Sequence, residues 1–419
     1  MRAIKSIKQS IPENHDLTDM MDIFKDMMNH CIRIGLKHNC STLKKLSLLS
    51  YHELRDYQIM SSYKICAISQ ACGRLSQRKR DIKKGKNVKP PFISKPFVTN
   101  CYSIKHNGSL LTIPFRYHNP INIILNNYAQ KILSDKSLKI RSFTMTDDSI
   151  SIAVSKEVDD IKCTNMLGID RNLRNVTVGN NEMVTFYKTN KLLSIKQNTI
   201  YARAGFKRND IRKKRDYYKS LQNRLQNRTK QFIHKISKDI VTNAVKSKSI
   251  IAFEDLKGIR KLYRKGNGQG NKYRKKMNSW QFYELQRQVQ YKATWNGIPV
   301  VFVDPKRTSK LCPICGDRIQ EDKQNRRKLL CINCGKSMDR DVIASMNIAH
   351  KAWSRFNHAR GDTSEGQSSV FEEPMSESKP SNYDGVVIRI LDVSKSGSRQ
   401  PDITNQHLTL VVDNSRSNI

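Results

Sequence analysis

Apolar positions change period repeatedly along this chain. Residues 1–15 form a short, partly β-branched opening that predicts one strand. Over 17–80 the period is helical: Met20, Met21, Ile23, Phe24 and Met27 lead to Cys31, Ile32 and Leu36, and Tyr63, Ile65, Ile68 and Ala71 repeat the spacing. A basic run at 83–89 followed by Pro90-Pro91 ends these helices. From 92 to 158 the period shortens, and Ser109-Leu110-Leu111-Thr112-Ile113-Pro114 and Ser149-Ile150-Ser151-Ile152-Ala153-Val154 predict short strands between Asn and Gly turns. That order suits a small β-barrel with a helical insertion after its first strand, bounded near 159–165.

Beyond that boundary an apolar strand ends at Asp170. Val176-Thr177-Val178, a Gly-Asn-Asn turn and Met183-Val184-Thr185-Phe186-Tyr187 follow at the spacing of an antiparallel meander. Residues 207–248 predict a long, very basic helix with Leu221, Leu225, Phe232, Ile236, Ile240 and Val241 as its buried stripe. Ile250-Ile251-Ala252-Phe253-Glu254 is the next strand. A Gly-rich basic loop at 265–274 leads to a helix at about 280–295, then to the strand Ile298-Pro299-Val300-Val301-Phe302-Val303. Strand, long helix, strand, helix, strand is a layered α/β plan. The last stretch, from about 361, is rich in Ser, Asp and Glu. It predicts a largely flexible tail whose apolar patches at 386–391 and 408–412 could dock a strand or shield a basic groove.

Composition narrows the partners. At 419 residues, two to four domains are expected. Lys plus Arg outnumber Asp plus Glu by 76 to 37, a net charge of +39. Such a field repels itself and favours a polyanion, and nucleic acid rewards dispersed cations through counterion release. A plain basic, ribosomal-type surface is the bland alternative. No apolar run approaches the roughly 20 residues of a spanning helix, and no signal peptide begins the chain, so a membrane is not an expected partner. Of ten cysteines, Cys31, Cys40, Cys66, Cys72, Cys101 and Cys163 are scattered and predict free thiols. A reducing, cytoplasmic, nucleoid-associated setting is expected.

The remaining cysteines carry chemistry. Cys312-x2-Cys315 and Cys331-x2-Cys334 stand 15 residues apart, the spacing of a zinc ribbon. Gly316 and Gly335 follow the second cysteine of each pair, where a knuckle needs an unusual backbone angle. Four protein ligands leave no position for water, so this Zn²⁺ is structural. Three carboxylates complete the picture as a set: Asp170 and Glu254 end buried strands, and Asp341 opens the helix expected after the ribbon. Hard oxygen ligands converging in this way suit two Mg²⁺ ions, one activating water and one stabilising the leaving 3′ oxygen. Asp255 and Asp339 are the adjacent misassignments, and strand alternation predicts that Asp255 faces away. The basic helix over 207–248 is expected to meet phosphate, and Gly266-x-Gly268-x-Gly270 to form a mobile loop near the active site.

Gly168-Ile169-Asp170-Arg171-Asn172, Phe253-Glu254-Asp255-Leu256, Thr308-Ser309 before Cys312-Pro313-x-Cys315-Gly316, and Asp339-Arg340-Asp341 through Asn347-Ile348 together resemble the TnpB family. These are transposon-encoded (insertion-sequence OrfB) proteins related to type V CRISPR effector nucleases. The resemblance covers about 167–352, while the N-terminal half matches only in layout. It implies a multidomain α/β protein: a wedge-like β-barrel (1–15 and 90–160), a helical recognition lobe (16–89), an RNase H-like RuvC nuclease domain (161–307 and 338–358), an inserted zinc ribbon (308–337) and a largely flexible polar tail (359–419). It places the magnesium ligands on Asp170, Glu254 and Asp341, with Mn²⁺ as a substitute in vitro, and zinc on Cys312, Cys315, Cys331 and Cys334. It also implies a guide RNA from the transposon end and cleavage of single- or double-stranded target DNA beside a short adjacent motif. Two departures stand out. Asn172 occupies a position where many relatives have Gly, and Ile343 one where many have Asn, so a supporting hydrogen bond is expected to be missing there. The rival readings are a transposase that joins DNA ends without RNA, a non-cutting regulator of transposition, and a plain zinc-ribbon DNA-binding protein.

Overall fold

Strand β1 (Arg2–Ser10) turns Ala3, Ile7 and Gln9 inward and leaves its other side chains more open, the alternation of a half-buried strand. The structure, a computed structural model, describes residues 1–359 and 387–391 apart from 13, 101–103, 117–118, 206–208, 265, 279, 323–324 and 326. Its contacts separate two units, Arg2–Glu157 and Met1 with the chain from Val158 onward.

In the first unit three helices follow β1. Helix α1 (His15–Lys37) starts where the Asn14 side chain accepts the Leu17 N–H at 3.2 Å, and buries Leu17, Met20, Met21, Phe24, Met27 and Met28. It packs with α2 (Leu43–Ser50) and α3 (Ser61–Lys83), whose buried Tyr63 donates its hydroxyl to Pro114 O at 2.5 Å. Strand β2 (Val98–Asn100) precedes the meander β3 (Lys105–Asn107), β4 (Leu110–Ile113) and β5 (Ile121–Ile124), then α4 (Asn127–Leu133), β6 (Lys139–Thr146) and β7 (Ser149–Glu157). Where a barrel was expected, hydrogen bonding among the described residues runs in two antiparallel sheets, β1-β7-β6-β2 and β3-β4-β5, without a closed ring. The residues joining β2 to β3 include 101–103, which lie outside the description.

The second unit is built on one sheet. Strands β8 (Asn165–Arg171), β9 (Asn175–Gly179) and β10 (Met183–Lys188) form the expected antiparallel meander. Helices α5 (Asn190–Ala204) and α6 (Ile211–Lys246) cross over to β11 (Ser249–Glu254), which runs parallel to β8. Helices α7 (Asn271–Asn278) and α8 (Phe282–Trp295) lead to β12 (Val300–Val303), parallel to β11. A three-stranded hairpin module follows, β13 (Ile319–Glu321), β14 (Lys328–Cys331) and β15 (Ser337–Asp339), then α9 (Arg340–Ala359). Finally β16 (Val387–Leu391) pairs parallel with β10, giving the order β12-β11-β8-β9-β10-β16. The apolar patch in the tail therefore does dock as a strand, and the rest of the tail lies outside the described residues.

Helices cover both faces of this sheet. On one, Ile236, Ile240 and Val241 of α6 and Leu285, Val289 and Ala293 of α8 pack against Leu167, Ile169, Ile251 and Phe253. On the other, Ile348 and Ala352 of α9 meet Ala252 and Val303. Burial on both faces explains the unbroken apolar run of β11. Helix α9 lies so close to β8 that a Cβ at Gly168 would overlap the Ser345 carbonyl oxygen and come within 2.7 Å of Ala349 N. Two helices were not anticipated. Among described residues α5 buries only Leu192 of its apolar side chains and α7 buries none, so neither shows the stripe that a periodicity argument needs. Cys31, Cys40 and Cys163 are buried thiols and Cys66 and Cys72 half-buried, while Cys101 is not described. No described helix is long and apolar enough to cross a membrane.

Candidate functional site

Sheet register brings the first two carboxylates together. β8 and β11 are parallel neighbours with Ile169 opposite Phe253, so the next residues, Asp170 and Glu254, come to the same rim, where Asp170 is still paired with Thr177 of β9 and Glu254 with Val303 of β12. Helix α9 begins at that rim with Asp341 in its first turn. Its start is fixed twice: the Asp341 N–H donates to Asp339 Oδ1 at 2.8 Å, and Asn175 Nδ2, at the head of β9, donates to Asp341 Oδ2 at 2.8 Å. Asp170 registers the crowding. Burial, then the charges of Glu254 and Asp341, push its pKa up to about 7, against a 2.7 Å hydrogen bond from Asn172 Nδ2. Burial also raises Glu254, opposed by the Thr308 hydroxyl donating to Oε1 at 2.6 Å and by the Arg171 charge.

Arg171 braces the rim from behind. It is buried, donates through Nη2 to Glu254 O at 2.6 Å and through Nη1 to Gln286 Oε1 at 2.8 Å, and lies 4.9 Å over the Phe253 ring. Burial lowers its pKa to about 10, leaving it a cation at neutral pH. The neighbouring acids are otherwise engaged. Asp255 pairs with exposed Lys257 at 2.9 Å, and Asp339 caps α9 while pairing with Arg327 at 3.5 Å.

Of four polar side chains at this rim, Asn175 and Arg327 escaped sequence reasoning, and Asn172 and Thr308 were noted only as members of motifs, without a role. Arg327, just before β14, also pairs with Asp341 Oδ2. No spacing rule marks any of them, because each acts through a partner distant in sequence or through a turn. The two departures noted in the sequence acquire physical roles. Asn172 supplies the hydrogen bond to Asp170 that a glycine could not. Ile343 is fully buried against Cys312, Leu329, Cys331 and Met338, so that position serves apolar packing. Three carboxylates share one rim, the Asp170 pKa is pushed up to about 7 by burial and then by the other two charges, and Asn175 Oδ1 is buried without a protein partner. That is a donor set of the kind a hard divalent cation takes, although among the described His, Cys, Asp and Glu side chains only the four cysteines bring three or more ligand atoms within 4.8 Å of one another.

The four cysteines gather from the ends of the hairpin module. Their sulfurs all lie within 4.8 Å of one another, with Cys312 to Cys334 at 3.6 Å and Cys315 to Cys331 at 3.4 Å. Thiolates around a tetrahedral cation at about 2.3 Å would stand roughly 3.8 Å apart. Gly316 and Gly335 take φ of +80° and +66°, the left-handed turn each knuckle requires. Burial pushes the Cys312 thiol far above its ordinary range, a setting in which a cation binds by displacing protons.

Basic surface lies on the same unit. The N-terminal half of α6 exposes Lys219, Arg224 and Arg228, with Lys230 just beyond it and Asp216 the one acid in that half. The helix is 36 residues, about 54 Å long.

Comparison with known proteins agrees with this architecture. The family described as "Cas12f1-like, TNB domain" matches residues 282–348, from α8 through the cysteine module into α9. A CRISPR-associated endodeoxyribonuclease Cas12f1 of Sulfoacidibacillus thermotolerans is 32% identical over 28% of this chain and 25% of its own length. Among solved structures, the Cas12f1–sgRNA–target DNA complex aligns with a TM-score of 0.53 at 14% identity, covering 80% of this chain and 81% of that one, which shows a shared fold. A TnpB-like protein of Methanocaldococcus jannaschii is 33% identical over 58% of this chain and 90% of its own length. Because that relative is spanned almost throughout, the assignment is plain: this chain belongs to the TnpB family.

Proposed function

We propose that this protein is an RNA-guided DNA endonuclease, with Asp170, Glu254 and Asp341 as the acids of a RuvC-type active site. The observation that supports the reading is the placement of three acids at one rim, from two strand ends and a helix start, where burial and the other two charges push the Asp170 pKa up to about 7. Three antiparallel strands followed by two parallel ones, with helices on both faces, fit an RNase H-like domain. Bound Mg²⁺ at this rim would activate water and stabilise the leaving 3′ oxygen. The chain's own part is orientation: Asn172, Thr308 and Asn175 each hold one oxygen of a different acid, and Arg171 keeps the two strand ends together. The cysteine module fits a structural zinc ribbon, closed to water. The exposed cations of α6 would contact phosphate, and the net charge of +39 suits a channel that holds an RNA–DNA duplex by its backbone. Guidance by RNA comes to this reading from the family, one of whose structural neighbours was solved with sgRNA and target DNA.

Two measurements test it. RNA copurifying with the protein should map to the 3′ flank of its own gene, and the loaded protein should cut matching DNA with Mg²⁺. Asp170→Ala, Glu254→Ala and Asp341→Ala should each abolish cutting and leave RNA binding intact. Wild-type cleavage by any one of the three would overturn the site. Strand joining by RNA-free protein would favour a transposase instead.

A further inference from the structure

We infer that Thr308 is a positioning residue for Glu254, and that through it the root of the four-cysteine module sets how the carboxylate rim grips a divalent cation. The inference rests on the site reading above and extends it to a residue outside the acids. Thr308 lies four positions before Cys312 and is 4% exposed. Its hydroxyl has two acceptors, Glu254 Oε1 at 2.6 Å and Pro305 O at 3.1 Å. One proton serves both, and the shorter contact to a carboxylate is the stronger. Oε1 is thereby held, and Oε2 is the oxygen that this contact leaves for a cation.

Thr308 is itself held, by the helix that carries the third acid. Asn347, on α9, uses both amide protons on this segment, donating to Thr308 O at 2.8 Å and to Leu311 O at 2.8 Å. Leu311 is the residue before Cys312. The clamp therefore spans 308–311, fixing the module's root against the helix that carries Asp341 in its first turn. Glu254, Thr308, Asn347 and the first cysteine knuckle form one connected chain of contacts. Thr308 needed only the Pro305 carbonyl to satisfy its hydroxyl, so the contact to Glu254 orients the acid rather than rescuing a buried donor. Groups that orient metal ligands in this way typically cost 10- to 100-fold in metal affinity when removed, roughly the range expected here.

The test uses full-length protein with whatever RNA copurifies and Mn²⁺ as the probe. Free Mn²⁺ is followed by its electron paramagnetic resonance signal, with Asp170→Ala as the control that abolishes binding. Thr308→Val keeps the side chain's shape and removes the hydroxyl. It should weaken Mn²⁺ binding about 10- to 100-fold and raise the Mg²⁺ concentration for half-maximal cleavage by the same factor, while the rate at saturating Mg²⁺ stays within a few-fold. Thr308→Ser should stay within about threefold of wild type on both readouts, since it restores the donor. Zinc content and melting temperature should not separate the two variants. Thr308→Ala is the second variant should Thr308→Val misfold, and the same loss is expected of it. Wild-type Mn²⁺ affinity in Thr308→Val or Thr308→Ala, with Asp170→Ala still inactive in binding, would overturn the role of Thr308 and spare the carboxylate site. Undiminished Mn²⁺ binding in Asp170→Ala would instead sink the site reading itself.

Discussion

The cysteine module and the carboxylate rim are both clusters of cation-type ligands in the same unit, yet they are assembled by opposite means. The four cysteines come from residues 312–334 on two knuckles of one hairpin, so local turns bring their sulfurs together. The three acids span 170–341 and share one rim because β8 pairs with β11 in one register and α9 returns to the same edge. A locally built site depends on its own cation for order. A non-locally built site depends on the packing of the whole sheet and on neutral donors that hold each ligand apart from its neighbours. The rim should therefore fail when distant packing is disturbed, and the module when its cation is lost.

The largest effect is expected at the module. Cys331→Ser removes a fully buried thiol of the proposed zinc site, and structural zinc supplies about 10–16 kcal/mol of folding free energy in small zinc domains. Zinc should be lost. Hydrogen exchange at the Cys312 and Cys331 amides, now bonded to Asp317 O at 2.7 Å and Lys336 O at 3.0 Å, should quicken by roughly 10²-fold or more. Because Thr308 roots the module beside Glu254, divalent-ion binding at the rim should weaken as well. Retained protection in zinc-free protein would show that Leu329, Met338 and Ile343 suffice to hold the hairpin.

Gly168→Ala is the converse test. The added methyl meets backbone of α9 rather than a flexible side chain, so the helix must shift or the strand must bend. Overpacking of this kind costs typically about 1–3 kcal/mol, to be read as a lower urea midpoint at unchanged slope. The atoms nearest the added methyl belong to Ser345, Ile348 and Ala349 of α9, and α9 also holds the module's root through Asn347, so zinc content should fall far less than in Cys331→Ser. Rim function should suffer, because the shifted helix carries Asp341. Unchanged stability would mean that α9 does not pack so closely on β8.

The same contrast explains what the amino-acid sequence discloses. Cys-x2-Cys pairs and their following glycines are legible because the geometry they need is written within a few residues. The strands ending at Asp170 and Glu254 are legible from their apolar runs, and strand alternation anticipates that Asp255 turns aside to Lys257. Helix α6 shows in its stripe, although its described start is Ile211 and its deepest residues include Ile233 and Ala244 as well as Ile236, Ile240 and Val241. Helices α5 and α7 were not legible, since amphipathic periodicity is the only signal for such segments and they bury too little to create one. The roles of the polar side chains that hold the acids were also hidden. Thr308 reaches Glu254 across 54 positions and Asn175 reaches Asp341 across 166, distances over which no spacing rule operates. Docking of β16 on β10 was foreshadowed only by an apolar patch in an otherwise polar tail.

Arg327 offers the smallest effect and the sharpest distinction between the two clusters, because it belongs to the module and acts on the rim. Its guanidinium pairs with Asp341 Oδ2 and stands 3.5 Å from Asp339 Oδ2, with the arginine side chain 58% exposed. A cation approaching Asp341 through that oxygen must displace it. Solvent screens the guanidinium but hardly reaches Asp341, whose side chain is 9% exposed, so the pair is placed at the top of the range for surface pairs, about 1 kcal/mol. Arg327→Ala should therefore tighten Mn²⁺ binding by no more than about fivefold, and added salt should shrink the difference further. Weaker binding in the variant would reverse the assignment: Arg327 would then hold Asp341 in place for the cation, as Thr308 does for Glu254, and the module would support two of the three acids rather than support one and compete at another.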